Sequence, residues 1–271
     1  MRLRPAFRVE QIHPDTLDYR SRLISNGGTI SDLDLTAVDV FVKEVYGNGL
    51  RSLLLDVSPL GGDNLAAALT KLWYPSGVQG NLANTNFVGA DYTQTAGLKG
   101  NGMTKYLNTG FTPGSFLSQS VSLGVYNRSN VSEIGADISV NNADRSQTIN
   151  LFSKWIDGIT YFDSFNSTAG QGRVTVSIAN PTGLLSGSRV SATDSKIYLN
   201  ANQVATIATS GGSPSTGFPI WYFAFNDAGN PIAFSSKFSG FFYIGLGLTA
   251  AQVSTLYRLV QNLMTAFGRQ V

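Results

Sequence analysis

The sequence predicts a mainly β protein, an antiparallel sandwich of jelly-roll type, with a helical subdomain ahead of it and a single helix closing it. Three observations carry this. From Phe87 onward short apolar–polar alternations arrive at close intervals with Gly, Asn and Ser between them, and no helical pattern intervenes to build parallel βαβ units. Ahead of them, apolar side chains recur at spacings of three and four. The clearest single unit is Leu184–Ile207. There Ile197 and Leu199 face one way and Lys196, Tyr198 and Asn200 the other, before Asn200-Ala201-Asn202 turns the chain into Gln203–Ile207.

Taken in order, residues 1–14 read as an extended arm. Pro5 breaks any helix, and Leu3, Phe7 and Val9 sit among Arg2, Arg4 and Arg8. Two readings stand for it: a frayed terminus, or a strand whose Leu3, Phe7 and Val9 dock on a partner. Residues 15–79 read as the helical subdomain. A first helix ends at Asn26-Gly27-Gly28, a good left-handed stop. A second starts at the Ser31 N-cap and carries Leu35, Val38, Val42 and Val45 on one face. A third is expected from Asp63-Asn64, with Leu65, Leu69 and Leu72 on one face, ending before Pro75. Leu50–Val57 between them is too short and apolar to assign by periodicity.

The sandwich is expected over residues 80–271. Candidate strands are 106–109, 120–126, 134–140, 148–152, 159–162, 174–179, 187–190, 196–199, 204–208, 219–226 and 241–244. The closing helix has Thr249 as N-cap with Gln252 at the reciprocal position, then Val253, Leu256, Val260, Leu263 and Phe267.

Composition narrows the function classes. Of 271 residues, 13% are charged, about half the usual share, and the formal net charge is +2. No Lys/Arg cluster is dense enough to neutralise a run of phosphates, so nucleic acid is not expected as a partner. There is no cysteine, which removes disulfides, thiolate metal sites and cysteine nucleophiles. No stretch suits a signal peptide or a membrane span. The expectation is therefore a protein made in the cytoplasm with no membrane partner.

Catalytic machinery is missing from the pattern. His13, the one histidine, precedes Pro14 and suits a helix start better than a triad. Glutamates are limited to Glu10, Glu44 and Glu133, so the paired carboxyls of a glycoside hydrolase do not assemble on one strand, even with Asp137 near Glu133. No phosphate-binding glycine loop is present. No catalytic residue, metal site or cofactor is expected; the oxygens nearest to a calcium site are Asp144 and Asp194, each an ordinary turn aspartate. In Trp155-Ile156-Asp157-Gly158 an aromatic face stands beside a carboxylate, a pairing that stacks and hydrogen-bonds a sugar ring, which makes Trp155 and Asp157 the candidate glycan contacts.

The run Leu184–Val204, with Ser-Arg, a polar turn and apolar-Tyr-apolar-Asn, resembles the central hairpin of laminin-G-like (concanavalin-A-like) jelly-roll domains. In that family the turn usually carries Gly where this chain has Ala201. Gly97–Thr109 is similar to the strand pair that opens such domains, and Gly245–Arg269 to the helix that closes them. The layout, with Gly247-Leu248-Thr249-Ala250-Ala251 and a final Gly268-Arg269, resembles uncharacterised structural proteins of tailed bacteriophages. The resemblance implies a non-enzymatic virion protein, head-decorating, cement-like or tail-associated, partnered by other virion proteins or by itself. The alternative is a glycan-binding, lectin-like adhesin or receptor-binding module that meets a host surface glycan.

Overall fold

The computed structural model describes residues 11–166, 172–209 and 217–271. Leu3, Phe7 and Val9 of the arm lie outside the described residues.

Local chemistry starts and stops the helices. Helix α1 (Pro14–Ser25) begins where the His13 side chain accepts the Asp15 N–H at 3.2 Å, and stops where Gly27 takes φ +78°. Helix α2 (Asp32–Gly47) starts on the Ser31 hydroxyl, which accepts the Asp34 N–H at 3.1 Å. The third helix, α3 (Leu65–Ala68), is a single turn capped by Asn64. The expected apolar face did not need a longer helix: Leu65 and Leu69 pack into one core and Leu72 into another, so the three leucines diverge. Helix α4 (Pro113–Phe116) is also one turn, and α5 (Ala250–Ala266) carries the reciprocal Thr249–Gln252 cap.

Among the described residues seventeen strands form two sheets. One runs β13 (Asn202–Ile207), β12 (Asp194–Leu199), β11 (Gly183–Ser191), β6 (Val121–Asn127), β17 (Phe238–Gly245), β4 (Gly97–Lys99), β3 (Tyr92–Thr93), with β1 (Leu54–Ser58) also on β17. The other runs β10 (Val174–Ser177), β9 (Ile159–Asn166), β8 (Thr148–Phe152), β7 (Ile138–Asn141), β14 (Trp221–Tyr222), β5 (Tyr106–Asn108), β2 (Ala83–Thr85). The hairpin β15 (Phe225–Asp227) and β16 (Asn230–Ile232) joins it beside β7. Pairing is antiparallel throughout, apart from the single parallel contact Asp227↔Asn141. The protein is therefore an antiparallel β-sandwich with two N-terminal helices and a C-terminal helix.

Beyond the shortened third helix, the strand expected over 219–226 is split into β14 and β15, and two connections also differ from the sequence reading. Residues 54–58, inside the stretch read as a helical subdomain, are a strand hydrogen-bonded to β17. Gly97–Lys99 and Tyr106–Asn108, read as a strand pair, belong to opposite sheets. The Asn101 side chain accepts from the N–H groups of Met103, Thr104 and Lys105, and this turn carries the chain from one sheet to the other.

Period-two alternation sorts side chains between two cores. Val121, Leu123, Val125, Phe242 and Ile244 fill the space between the sheets with Ile138, Val140, Ile149, Leu151 and Phe162. Gly187 faces this core because a Cβ there would lie 2.2 Å from the Phe162 ring. Tyr126, Leu184, Tyr198, Phe241 and Tyr243 point the other way and are buried under α1, α2 and α5. Tyr198 thus does face away from Ile197, into a second core. Arg269 fastens the end of α5, donating to the Leu60 carbonyl at 2.7 Å, the Gly240 carbonyl at 3.1 Å and the Tyr92 hydroxyl at 2.8 Å. Among the described residues no helix is long and apolar enough to cross a membrane.

Candidate functional site

Among the described residues no helical layer covers the outer face of the β10–β2 sheet, and here the strands place their polar and aromatic side chains. Strands β8 and β9 are joined by Trp155-Ile156-Asp157-Gly158. Gly158 takes φ +81°, the Trp155 N–H bonds the Ile159 carbonyl at 2.8 Å and the Gly158 N–H bonds the Trp155 carbonyl at 2.9 Å. Asp157 holds the turn by accepting the Ile159 N–H at 2.9 Å and the Tyr161 hydroxyl at 2.5 Å. The indole is thereby set at the end of the hairpin with Tyr161 beside it.

Phe152 and Tyr161 are direct cross-strand partners on this face, their rings 6.4 Å apart and near perpendicular. Trp155 stacks on Phe152 at 4.9 Å and 23°, and Phe225 of β15 closes in on Phe152 at 6.1 Å. These rings wall a cavity of ≈ 260 Å³, completed by Ile232, Ala233, Arg145 and Arg173. Phe152 and Phe225 are buried, while Trp155 is half-buried. The indole has a rigid backing and an accessible side.

Both guanidiniums are held by carboxylates. Arg173 donates to Asp163 through Nε at 2.9 Å and Nη2 at 2.6 Å and lies 4.6 Å over the Tyr161 ring. Burial of Arg173 works against its charge, and the Asp163 hydrogen bonds and attraction outweigh that, so its pKa is raised. Asp163 is fully buried and also accepts from Asn150 at 3.2 Å and Asn166 at 2.6 Å, while Ser139 donates to Asn150 at 2.5 Å. A polar row therefore crosses β7, β8 and β9 beside the cavity. On the far side Arg145 grips Asp227 through Nε at 3.1 Å and through Nη2, and Asn141 donates to the same carboxylate at 2.9 Å. The hydrogen bond from Arg145 holds the Asp227 pKa below the usual carboxylate range. The hydroxyl of Tyr161 does the same for Asp157, while burial and the Asp157 hydrogen bond push Tyr161 up.

Other candidates sit elsewhere. Glu133 accepts from Ser235 and the Ser236 N–H at 3.0 and 2.9 Å, and His13 is the cap of α1. Asp144 accepts the N–H and hydroxyl of Ser146, and Asp194 pairs with Lys196 at 2.5 Å. Among the described residues no group of three or more His, Cys, Asp or Glu is placed to hold a metal ion. What the cavity offers is an aromatic platform with guanidinium donors at its edge, an arrangement that stacks a ring and hydrogen-bonds its substituents.

Of the two sequence-derived glycan contacts, Trp155 lines the cavity and Asp157 positions Tyr161 at its rim. Sequence reasoning missed Phe152, Tyr161, Arg145, Arg173 and Phe225. The alternation Ile149-Asn150-Leu151-Phe152, which sets Asn150 and Phe152 on the face opposite the core, is a signal from which Phe152 follows; the two arginines lie in turns and give none.

No protein-family model matches the chain, and no curated protein matches it. Among solved structures it is similar to the NanB sialidase of Streptococcus pneumoniae at 10% identity and a TM-score of 0.46, over 58% of this chain and 26% of that one. It is similar to the binding domain of botulinum neurotoxin DC, solved in complex with SialylT, at 15% identity and a TM-score of 0.46, over 78% of this chain and 52% of the other. A third is the mouse laminin α1 chain, domains LG4-5, at 17% identity and a TM-score of 0.38, over 60% and 39%. The chain spans about a quarter of the sialidase's length and about half of the neurotoxin domain's.

Proposed function

We propose that this protein is a non-enzymatic, glycan-binding β-sandwich module, and that the Trp155 cavity is where a saccharide ring binds. The observation that carries this is the half-buried indole, stacked on Phe152 at 4.9 Å and facing a ≈ 260 Å³ cavity edged by two arginines on a sheet face the helices leave open. The apolar face of a pyranose stacks on such a platform while its hydroxyl oxygens accept from guanidinium N–H groups. Asp163 and Asp227 are each committed to an arginine, which favours binding over catalysis at this cavity. The virion role rests on the sequence resemblance alone; a glycan-binding module is compatible with it and does not require it.

The test exploits tryptophan. Trp73 and Trp221 are 3% and 5% exposed, so saccharide-dependent quenching of intrinsic fluorescence reports on Trp155. A panel of oligosaccharides should contain at least one that quenches and that also binds by calorimetry. Trp155→Ala should weaken that binding by about tenfold or more, the worth of one stacked ring. Absence of binding across the panel, or binding indifferent to Trp155→Ala, would refute the proposal.

A further inference from the structure

The charge arrangement of the cavity says which class of saccharide it takes. Resting on the glycan reading above, we propose that the Trp155 cavity selects uncharged saccharides over anionic ones such as uronates.

Two arginines at a binding cavity suggest an anion until their partners are counted. Arg173 is bonded side-on to Asp163, and Arg145 side-on to Asp227. A third carboxylate, Asp157, stands at the rim on the Tyr161 hydroxyl. Two guanidinium charges thus face three carboxylates. Each of the three carboxylates is hydrogen-bonded to a residue that lines the cavity, whereas Lys154, adjacent to Trp155 in the chain, directs its ammonium to Asn130 and the Ala179 carbonyl, neither of which does. The hydrogen bonds that lower the pKa values of Asp157 and Asp227 keep both ionised at neutral pH.

The arrangement of donors agrees. Nε and Nη2 of each arginine are taken by its aspartate, and among the described residues neither Nη1 makes a hydrogen bond, so each arginine keeps N–H donors for a ligand. The carboxylate lone pairs are largely filled from the protein side: Asp163 accepts from Arg173, Asn150 and Asn166, and Asp227 from Arg145 and Asn141. Hydroxyl and ring oxygens satisfy such donors without bringing a charge. A sugar carboxylate would meet the field of guanidiniums already neutralised, with Asp157 left over to repel it. One uncompensated like charge about 6 Å away, at a dielectric between water and protein surface, corresponds to about threefold to tenfold in affinity.

Matched pairs of oligosaccharides test this, glucosyl with glucuronosyl, galactosyl with galacturonosyl and mannosyl with mannuronosyl, titrated by Trp155 fluorescence and calorimetry. The expected result is a neutral member bound about threefold to tenfold tighter than its uronosyl counterpart. The neutral affinity should change less than about twofold between about 20 and about 500 mM NaCl. Asp157→Asn should raise the ratio of uronosyl to neutral affinity by about threefold to tenfold, because the substitution removes the charge and keeps an oxygen for the turn. Equal or tighter binding of the uronosyl member overturns the inference while leaving the glycan-binding function standing. No binding by either member of any pair overturns both.

Discussion

The two sheets of this sandwich share one core and differ in what lies behind them. Behind the β13–β3 sheet, Tyr126, Tyr198, Phe241 and Tyr243 are sealed under α1, α2 and α5. Behind the β10–β2 sheet, Ser139, Asn150 and Asp163 form a hydrogen-bonded row beside an aromatic cavity. Both sheets alternate with the same period, so alternation distinguishes the two faces of a strand without stating what covers them. The chemical content of the outward set differs: large rings on one sheet are buried by a further layer of helices, and hydroxyl, amide and carboxylate groups on the other, themselves fully buried, are satisfied by hydrogen bonds to one another and to Arg173.

The sharpest way to break this comparison is to attack the two outer faces separately. Phe241 is fully buried and packs edge-on to Phe41 of α2 at 5.9 Å. Phe241→Ala should cost about 3–5 kcal/mol by chemical denaturation, with the midpoint falling and the slope unchanged. A loss under about 1 kcal/mol would mean that the helices do not depend on that sheet. Trp155→Ala on the opposite face removes a half-buried side chain and should cost less than about 1 kcal/mol in the same measurement, even as it weakens saccharide binding about tenfold by calorimetry.

A smaller effect, of opposite sign, is expected at the β12–β13 turn. Asn200 and Ala201 take φ +48° and +69°, a two-residue turn with both residues left-handed, as tight as the Asn-Gly turn of the family it resembles. Asn200 suits this, and its side chain accepts the Leu184 N–H at 2.9 Å, whereas Ala201 is strained. Ala201→Gly should stabilise by about 0.5–1 kcal/mol in thermal or chemical unfolding; a loss would show that the chain does not hold this turn.

Acidification should separate the faces most gently. The Asp227 carboxyl is depressed by Arg145, so its contribution is complete above the unfolded value of about 3.9 and disappears as pH falls through the lower folded value. Asp157 follows the same direction. Asp56, fully buried beside Lys71, goes the other way: burial raises its pKa, so acid relieves a cost there. Saccharide affinity should therefore stay level from pH 7 to about 4 and fall below that, before the helix-backed sheet unfolds. Affinity lost already near pH 6 would contradict the arginine–aspartate grips at the cavity.

Much of the fold was legible because it is written in local periodicity. The caps at Ser31 and Thr249, the hairpin at Asn200-Ala201 and the strand Thr148–Phe152 all follow from neighbours within a few residues. What escaped depends on distant partners. Leu54–Ser58 is a strand only because β17 lies alongside it, and Leu72 left the expected helix because Val57 accepts its N–H at 2.8 Å. The cavity divides in the same way. Trp155 and Asp157 were visible as an aromatic and a carboxylate sharing one turn. Arg145 becomes a site residue by meeting Asp227, 82 positions away, and no spacing in the sequence announces that.

Strand β17 also bears on how this chain is made. It lies in the middle of its sheet, bonded to β6 on one side and to β1 and β4 on the other. During synthesis β1 emerges early, yet its strand partner is residues 242–245. Until those residues leave the ribosome, β1, β4 and β6 expose unpaired backbone N–H and C=O groups along the edges that β17 will cover, and such edges pair wrongly between chains. The nascent chain is thus committed to a late, nearly all-at-once closure, and the slow step of its folding should be the seating of this one strand rather than the formation of any helix.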